Sequence, residues 1–257
     1  MHPFLSLGRL QLPIFGLFAA AGLMAAMALG LRTARMAHID RDAFWDTGMV
    51  AVFSAFLLSR ALLVAQNLRN FFAYPLLVLE LPSLTSGGLL LTALATAAYL
   101  RYRHLPWLGT LDAAAPCAAL LASFVSFGLV ADGTREGMPV ASPSIASAFG
   151  HVHPVELYSA IAWLALCVIL LQVLSRATRP GQTTASALLL GGLTVFLLDF
   201  FHLPAQLYSS HWLDRIQWRA LLFVAAGCLV LLALAGASED NNPPQSRPSK
   251  EGPADAL

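Results

Sequence analysis

His153-Pro-Val-Glu-Leu-Tyr158 opens the stretch whose reading decides the fold, HPVELYSAIAWLALCVILLQVLS over residues 153–175. Val155 to Ser175 is apolar and meets the ~20 residues that a membrane-spanning helix needs. Three polar side chains, His153, Glu156 and Tyr158, stand at its mouth. Ionisable groups at such a position point to function. Taken alone, Pro154 and Glu156 also read as ordinary chemistry for the first turn of a helix.

The whole chain agrees with that stretch. Of 257 residues, 58% are hydrophobic and 11% are charged, against ~25% charged in soluble domains. A single buried core cannot absorb so much apolar surface, so the chain reads as an all-α integral membrane protein. A net charge of +1 argues against nucleic acid as a partner, which requires a basic stripe. Cys117, Cys167 and Cys228 lie in apolar runs without CxxC spacing. They suggest neither a metal site nor a disulfide framework and read as small packing residues.

Apolar windows place seven transmembrane helices at Pro13–Leu31, Ala43–Gln66, Ser86–Leu100, Leu111–Ala131, Val155–Ser175, Ala185–His202 and Arg219–Gly236. The first lacks the marks of a cleaved leader and reads as retained. Tyr74–Leu84, broken by Pro75 and Pro82, reads as interfacial or re-entrant. Arg32, Arg35 and Arg41 follow the first helix, Arg101 and Arg103 the third, and Arg176 and Arg179 the fifth; the opposite loops hold Arg69, Arg135, Arg215 and the helix-edge Arg219. The positive-inside rule then sets the N-terminus outside and the C-terminus in the cytoplasm. Residues 1–237 form one polytopic domain, and 238–257, rich in Pro, Ser and charge, a disordered cytoplasmic tail.

With that topology, polar residues sort by depth. Arg60, Ser123, Ser126, His153, Glu156, Tyr158, Asp199 and His202 fall in the outer half and are expected to converge on one cavity. Arg60 reads either as half of an ion pair with Asp199 or Glu156, or as a planar fork gripping a lipid phosphate. Asp199 and His202, three residues apart on one helical face, form either a carboxylate-oriented imidazole or a satisfied polar pair. Tyr158, like Tyr74, Trp212 and Trp218, also fits an interfacial aromatic belt. Gly87-Gly88 and Gly191-Gly192 permit close backbone approach, for helix packing or for a ligand. Asp46 and Asp112 fall toward the cytoplasmic side; Asp112 is expected to offset its own helix's first-turn dipole, and Asp46 to pair with an inner arginine.

In order along the chain, these pieces resemble the prolipoprotein diacylglyceryl transferases of bacterial inner membranes, from about Leu10 to Leu231. Leu10-Gln-Leu-Pro-Ile-Phe15-Gly16 is similar to the family's strand-like Leu-x-(Leu/Ile)-x-Trp-Tyr-Gly, and Leu58-Ser-Arg60-Ala-Leu62 to its Gly-Ala-Arg-Leu-Gly. Ser86-Gly87-Gly88 stands for His-Gly-Gly, and Leu111-Asp112-Ala-Ala-Ala-Pro116 for Leu-Asp-Ala-x-Ala-Pro. His153-Pro-Val-Glu156-Leu-Tyr158-Ser159 stands for His-Pro-x-Gln-Leu-Tyr-Glu, and Val195-Phe-Leu-Leu-Asp199-Phe-Phe-His202-Leu-Pro204 for Arg-Phe-x-x-Glu-x-x-Arg-x-Pro.

The resemblance implies transfer of diacylglyceryl from phosphatidylglycerol to the thiol of a lipobox cysteine, with release of glycerol phosphate and without a cofactor or metal. Its partners would be the phospholipid and a prolipoprotein signal peptide. His153, Asp199 and His202 would serve catalysis, and Arg60, Gly87, Gly88, Ser123, Ser126, Glu156 and Tyr158 substrate binding. The departures lie where the chemistry is expected. Ala122-Ser123-Phe124-Val125-Ser126-Phe127 replaces Gly-Arg-(Ile/Leu)-Gly-Asn-Phe, while Phe15, Ser86 and Val195 replace a tyrosine, a histidine and an arginine. Two functions stay open on this reading: a divergent transferase, or a non-catalytic paralogue that binds a phospholipid or lipoprotein precursor. An unrelated transporter is disfavoured, since inverted repeats are not evident.

Overall fold

The computed structural model describes residues 4–7, 10–69, 85–133, 137–138, 152–202 and 213–239. It opens on an antiparallel hairpin, β1 (Phe4–Leu7) with β2 (Leu10–Pro13), in which Phe4 pairs with Pro13 and Leu7 with Leu10. Seven helices follow among the described residues: α1 (Ile14–Met36), α2 (Arg41–Gln66), α3 (Ser86–Tyr102), α4 (Trp107–Asp132), α5 (Val155–Arg176), α6 (Gln182–Asp199) and α7 (Arg215–Glu239). The hairpin precedes the all-helical bundle, and the Leu10-Gln-Leu12 alternation suits its second strand. Tyr74–Leu84 and residues 240–257 lie outside the described residues.

Among the described residues, six helices are long and apolar enough to cross a membrane: α1, α2, α4, α5, α6 and α7. The protein is therefore a multi-pass membrane protein. At 1.5 Å per residue the 17 residues of α3 span about 25 Å, slightly less than the ~30 Å hydrocarbon core.

Small residues set how the helices approach. The buried face of α1 is Gly22, Ala26, Gly30, Thr33 and Ala34, spaced at three and four residues, and it lies on α4. A Cβ at Gly22 would meet Phe124 Cβ at 2.5 Å, and one at Gly30 would meet Phe44 Cε1 of α2 at 2.7 Å. Helices α6 and α7 touch through backbone: a Cβ at Gly192 would sit 2.8 Å from the Ala220 carbonyl oxygen, and one at Gly227 2.6 Å from Leu189 N. Lipid offers no hydrophobic drive for helices to associate, so close van der Waals contact over small residues supplies it. Helix α4 is central, packed on α1, α5 and α6. Ala119 joins Leu166, Cys167 and Leu170 of α5 in the main buried cluster. Helices α2 and α3 pack on each other and meet the rest of the bundle chiefly along α1.

Contacts between helix ends show strict alternation of direction. Thr33 near the end of α1 lies 3.6 Å from Cys117 Sγ near the start of α4. Asp46 in α2 faces Arg103, just past α3, at 3.8 Å. The Arg179 guanidinium donates to the Leu234 carbonyl near the end of α7. One end of the bundle thus gathers the arginines that follow α1, α3 and α5. The opposite end carries His153, Glu156, Tyr158 and His202, and we refer to the two as the arginine end and the histidine end.

Two expectations change with the helix limits. Helix α4 begins at Trp107, four residues before Leu111, so Asp112 lies in its second turn and does not serve its own N-terminus. It caps α6 instead: its carboxylate accepts from Gly181 N at 2.6 Å, Thr184 N at 2.7 Å and Thr184 Oγ1 at 2.6 Å. Gly181 takes φ +95 at that N-cap, a left-handed conformation that glycine adopts without Cβ strain. Helix α6 is correspondingly shifted toward the N-terminus and ends at Asp199, so His202 lies beyond it. At the other chain end, α7 continues through Ser238 and Glu239, two residues past the expected domain limit.

Candidate functional site at the histidine end

The histidine end is built from segments flanking α5 and α6. Pro154, as the N-cap of α5, sets the helix start and places Glu156 in the first turn, where a carboxylate meets the unpaired amides of the helix. Glu156 is 7% exposed, and its Oε1 lies 3.5 Å from His202 Nε2. The imidazole therefore meets the carboxylate of α5. This corrects the expected pairing of His202 with Asp199 on one helical face: past the helix end, His202 keeps a backbone link to Asp199, its N–H donating to the Asp199 carbonyl at 3.1 Å.

Around this pair three rings meet. The His153 centroid lies 5.6 Å from that of Phe201 and 6.3 Å from that of Tyr158, while Tyr158 and Phe201 stand edge to face at 6.3 Å. His153 Nδ1 and His202 Nδ1 are both buried without a hydrogen-bond partner among the described residues. A buried polar atom left unsatisfied costs about 1–3 kcal/mol. One belongs to the ring that meets Glu156 and the other to the ring stacked near Tyr158 and Phe201. Phe201 was not legible as a site residue, since nothing in its spacing separates it from the apolar run. Glu156 and His202 are 46 residues apart, and no local pattern links them.

The remaining expected site residues fall elsewhere. Ser123 is 1% exposed and donates to the Ala160 carbonyl of α5 at 2.8 Å, which ties α4 to α5. Ser126 is buried on the same helix, and nearby Gly128 lies against Phe15, with a Cβ there 3.1 Å from Phe15 Cδ2. Gly88 is pressed on Ser59, where a Cβ would meet Ser59 Cα at 2.5 Å, and a Cβ on Gly87 would meet Leu62 Cδ2 at 2.6 Å. These glycines let α2 and α3 touch. Arg60, on the turn that carries Ser59, is half-buried, and Arg60, Glu156 and Asp199 all have further interactions. Ser86 is exposed at the start of α3. The structure thus joins His153, Glu156, Tyr158 and His202, and sets Arg60, Gly87 and Gly88 on the α2–α3 pair.

A helical multi-pass membrane protein with a carboxylate, two imidazoles and aromatic rings at one end of its bundle is the class these features define. The sequence profile of the prolipoprotein diacylglyceryl transferases matches residues 3–233, and the chain belongs to that family. A phosphatidylglycerol–prolipoprotein diacylglyceryl transferase of Clostridium novyi (strain NT) is 23% identical over 238 residues, covering 87% of this chain and 91% of the relative. One of Clostridium tetani (strain Massachusetts / E88) is 22% identical over 196 residues, covering 72% and 79%.

Proposed function

We propose that the protein transfers diacylglyceryl from phosphatidylglycerol to the cysteine thiol of a prolipoprotein signal peptide, in the bacterial inner membrane. In that reaction a sulfur–carbon bond forms at the glyceryl carbon, the carbon–oxygen bond to phosphate breaks, and glycerol phosphate leaves. A base must take the thiol proton, and a polar group must meet the departing charge. His202, held by Glu156, is the base in this reading, with His153 beside it and Asp199 at the helix end behind it. Arg60 is the phosphate clamp, flanked by Gly87 and Gly88, with Ser123, Ser126 and Tyr158 completing the lipid site. The observation that carries the reading is the Glu156–His202 contact at 3.5 Å in a chain matched by the family almost throughout.

For topology, the same reading has all seven helices crossing, α3 included, with the arginine end cytoplasmic. Antiparallel pairing of α3 with α2 along its length, from Gly88 at one end to Arg103 at the other, supports a crossing. The N-terminus is then outside and the C-terminus cytoplasmic; residues 1–237 are the membrane domain and 238–257 a cytoplasmic tail.

A second reading, a non-catalytic lipid-binding paralogue, is favoured by one observation. Ser123 stands where the family signature carries arginine, and its hydroxyl is spent on a helix–helix hydrogen bond. Expressing the gene in a cell depleted of its own transferase separates the two. Restored lipoprotein modification supports the transferase; a stably inserted chain that restores none leaves the paralogue.

A further inference from the structure

His153 precedes α5 and His202 follows α6, so neither ring is fixed by a helix of its own. The Nδ1 atom of each is buried and has no partner among the described residues, so that side of each imidazole does not set its orientation either. Backbone bonds hold the segments that carry them. Met138 N–H donates to the Phe201 carbonyl at 3.0 Å, and the Met138 carbonyl accepts from His153 N–H at 3.0 Å. Gly137 is bridged antiparallel to His202. Two residues of the α4–α5 connection therefore grip both histidines.

The grip needs a glycine and is indifferent to the neighbouring side chain. A Cβ at Gly137 would strike the His153 carbonyl oxygen and lie 2.8 Å from Val155 Cγ2. The Met138 side chain is 37% exposed, while both of its peptide groups are engaged. Resting on the transferase reading above, we propose that Gly137–Met138 is a positioning element that sets the His153 and His202 rings against Glu156. It touches no reacting atom. It acts by fixing where the base stands, and a misplacement of about 1 Å costs on the order of 10²-fold in rate.

Full-length protein in phosphatidylglycerol nanodiscs tests this with Gly137→Ala. Thioether formation on a lipobox peptide should lose about 10²-fold in kcat with KM nearly unchanged, and the imidazole ¹⁵N signals of His153 and His202 should move. Met138→Ala, which keeps both peptide bonds, should leave those signals in place. Unmoved histidine signals in Gly137→Ala, or equal shifts in both variants, would overturn the proposal. Hydrogen exchange on the unsubstituted chain gives a reading independent of how the variants fold: the Met138 and His153 amides should exchange slowly, and exchange at the rate of free peptide overturns it. A parent chain that makes no thioether sinks the transferase reading alone, because the histidine signals and exchange rates still decide for or against the positioning element.

Discussion

The buried carboxylates at the two ends of the bundle are held in different ways. At the arginine end, Asp112 is 3% exposed and spends its carboxylate on three bonds of 2.6–2.7 Å to the start of α6. At the histidine end, Glu156 is almost as buried, yet its contact to His202 is 3.5 Å, and two imidazole nitrogens beside it lack partners among the described residues. Short, saturated bonds hold a fold. Long contacts and unsatisfied atoms cost stability and persist where a ligand or a proton completes them. The Asp112 carboxylate serves the fold, and the Glu156 carboxylate meets an imidazole at longer range.

The largest effect should come from breaking the Asp112 cap. Asp112→Ala strands two amides at the α6 N-terminus and a hydroxyl, and should cost about 3 kcal/mol of stability, read as a lowered melting temperature in detergent. Loss of activity without loss of stability would put Asp112 in the chemistry and erase the contrast. Next is the histidine end, where His202→Ala should lower thioether formation by about 10²-fold or more while barely moving the melting temperature. A large stability loss with a proportionate fall in activity would make His202 a packing residue like any other.

Ser123 sharpens the contrast from between the two ends. Since its site is filled by α5, Ser123→Arg should destabilise by about 2 kcal/mol and should not create headgroup binding; tighter binding of phosphatidylglycerol at unchanged stability would show that the α4–α5 seam opens. The smallest effect is at the arginine end. His38 and His104 take positive φ of 58° and 54° in the turns after α1 and α3, where an L side chain is strained. His38→Gly should be neutral to stabilising by about 0.5 kcal/mol, so a loss would mean that the ring makes a contact worth more than its strain.

Much of the fold was legible because the bilayer demands long apolar runs. Val155–Ser175 fixed α5 to within a residue, and Ser86 marked the start of α3, where Thr85 caps Gly88 N. Sequence failed where limits are set by tertiary contact. Nothing local says that Asp112 belongs to α6, and the three-residue shift of α6 follows from that cap. The site shows the same divide. Residues of one motif, His153, Glu156 and Tyr158, do fall together, but the match of His202 to Glu156 joins the start of α5 to the segment past α6, 46 residues on. The short grip of Gly137–Met138 has no periodicity for sequence to carry.

The central claim is that the histidine end performs transfer chemistry. Purified protein in phosphatidylglycerol vesicles with a lipobox peptide, assayed by mass for the diacylglyceryl thioether, tests it directly when Glu156→Gln is run beside the parent. The account predicts product from the parent and about 10²-fold less from the variant at similar melting temperature. No product from a folded parent, or equal product from both, would contradict it.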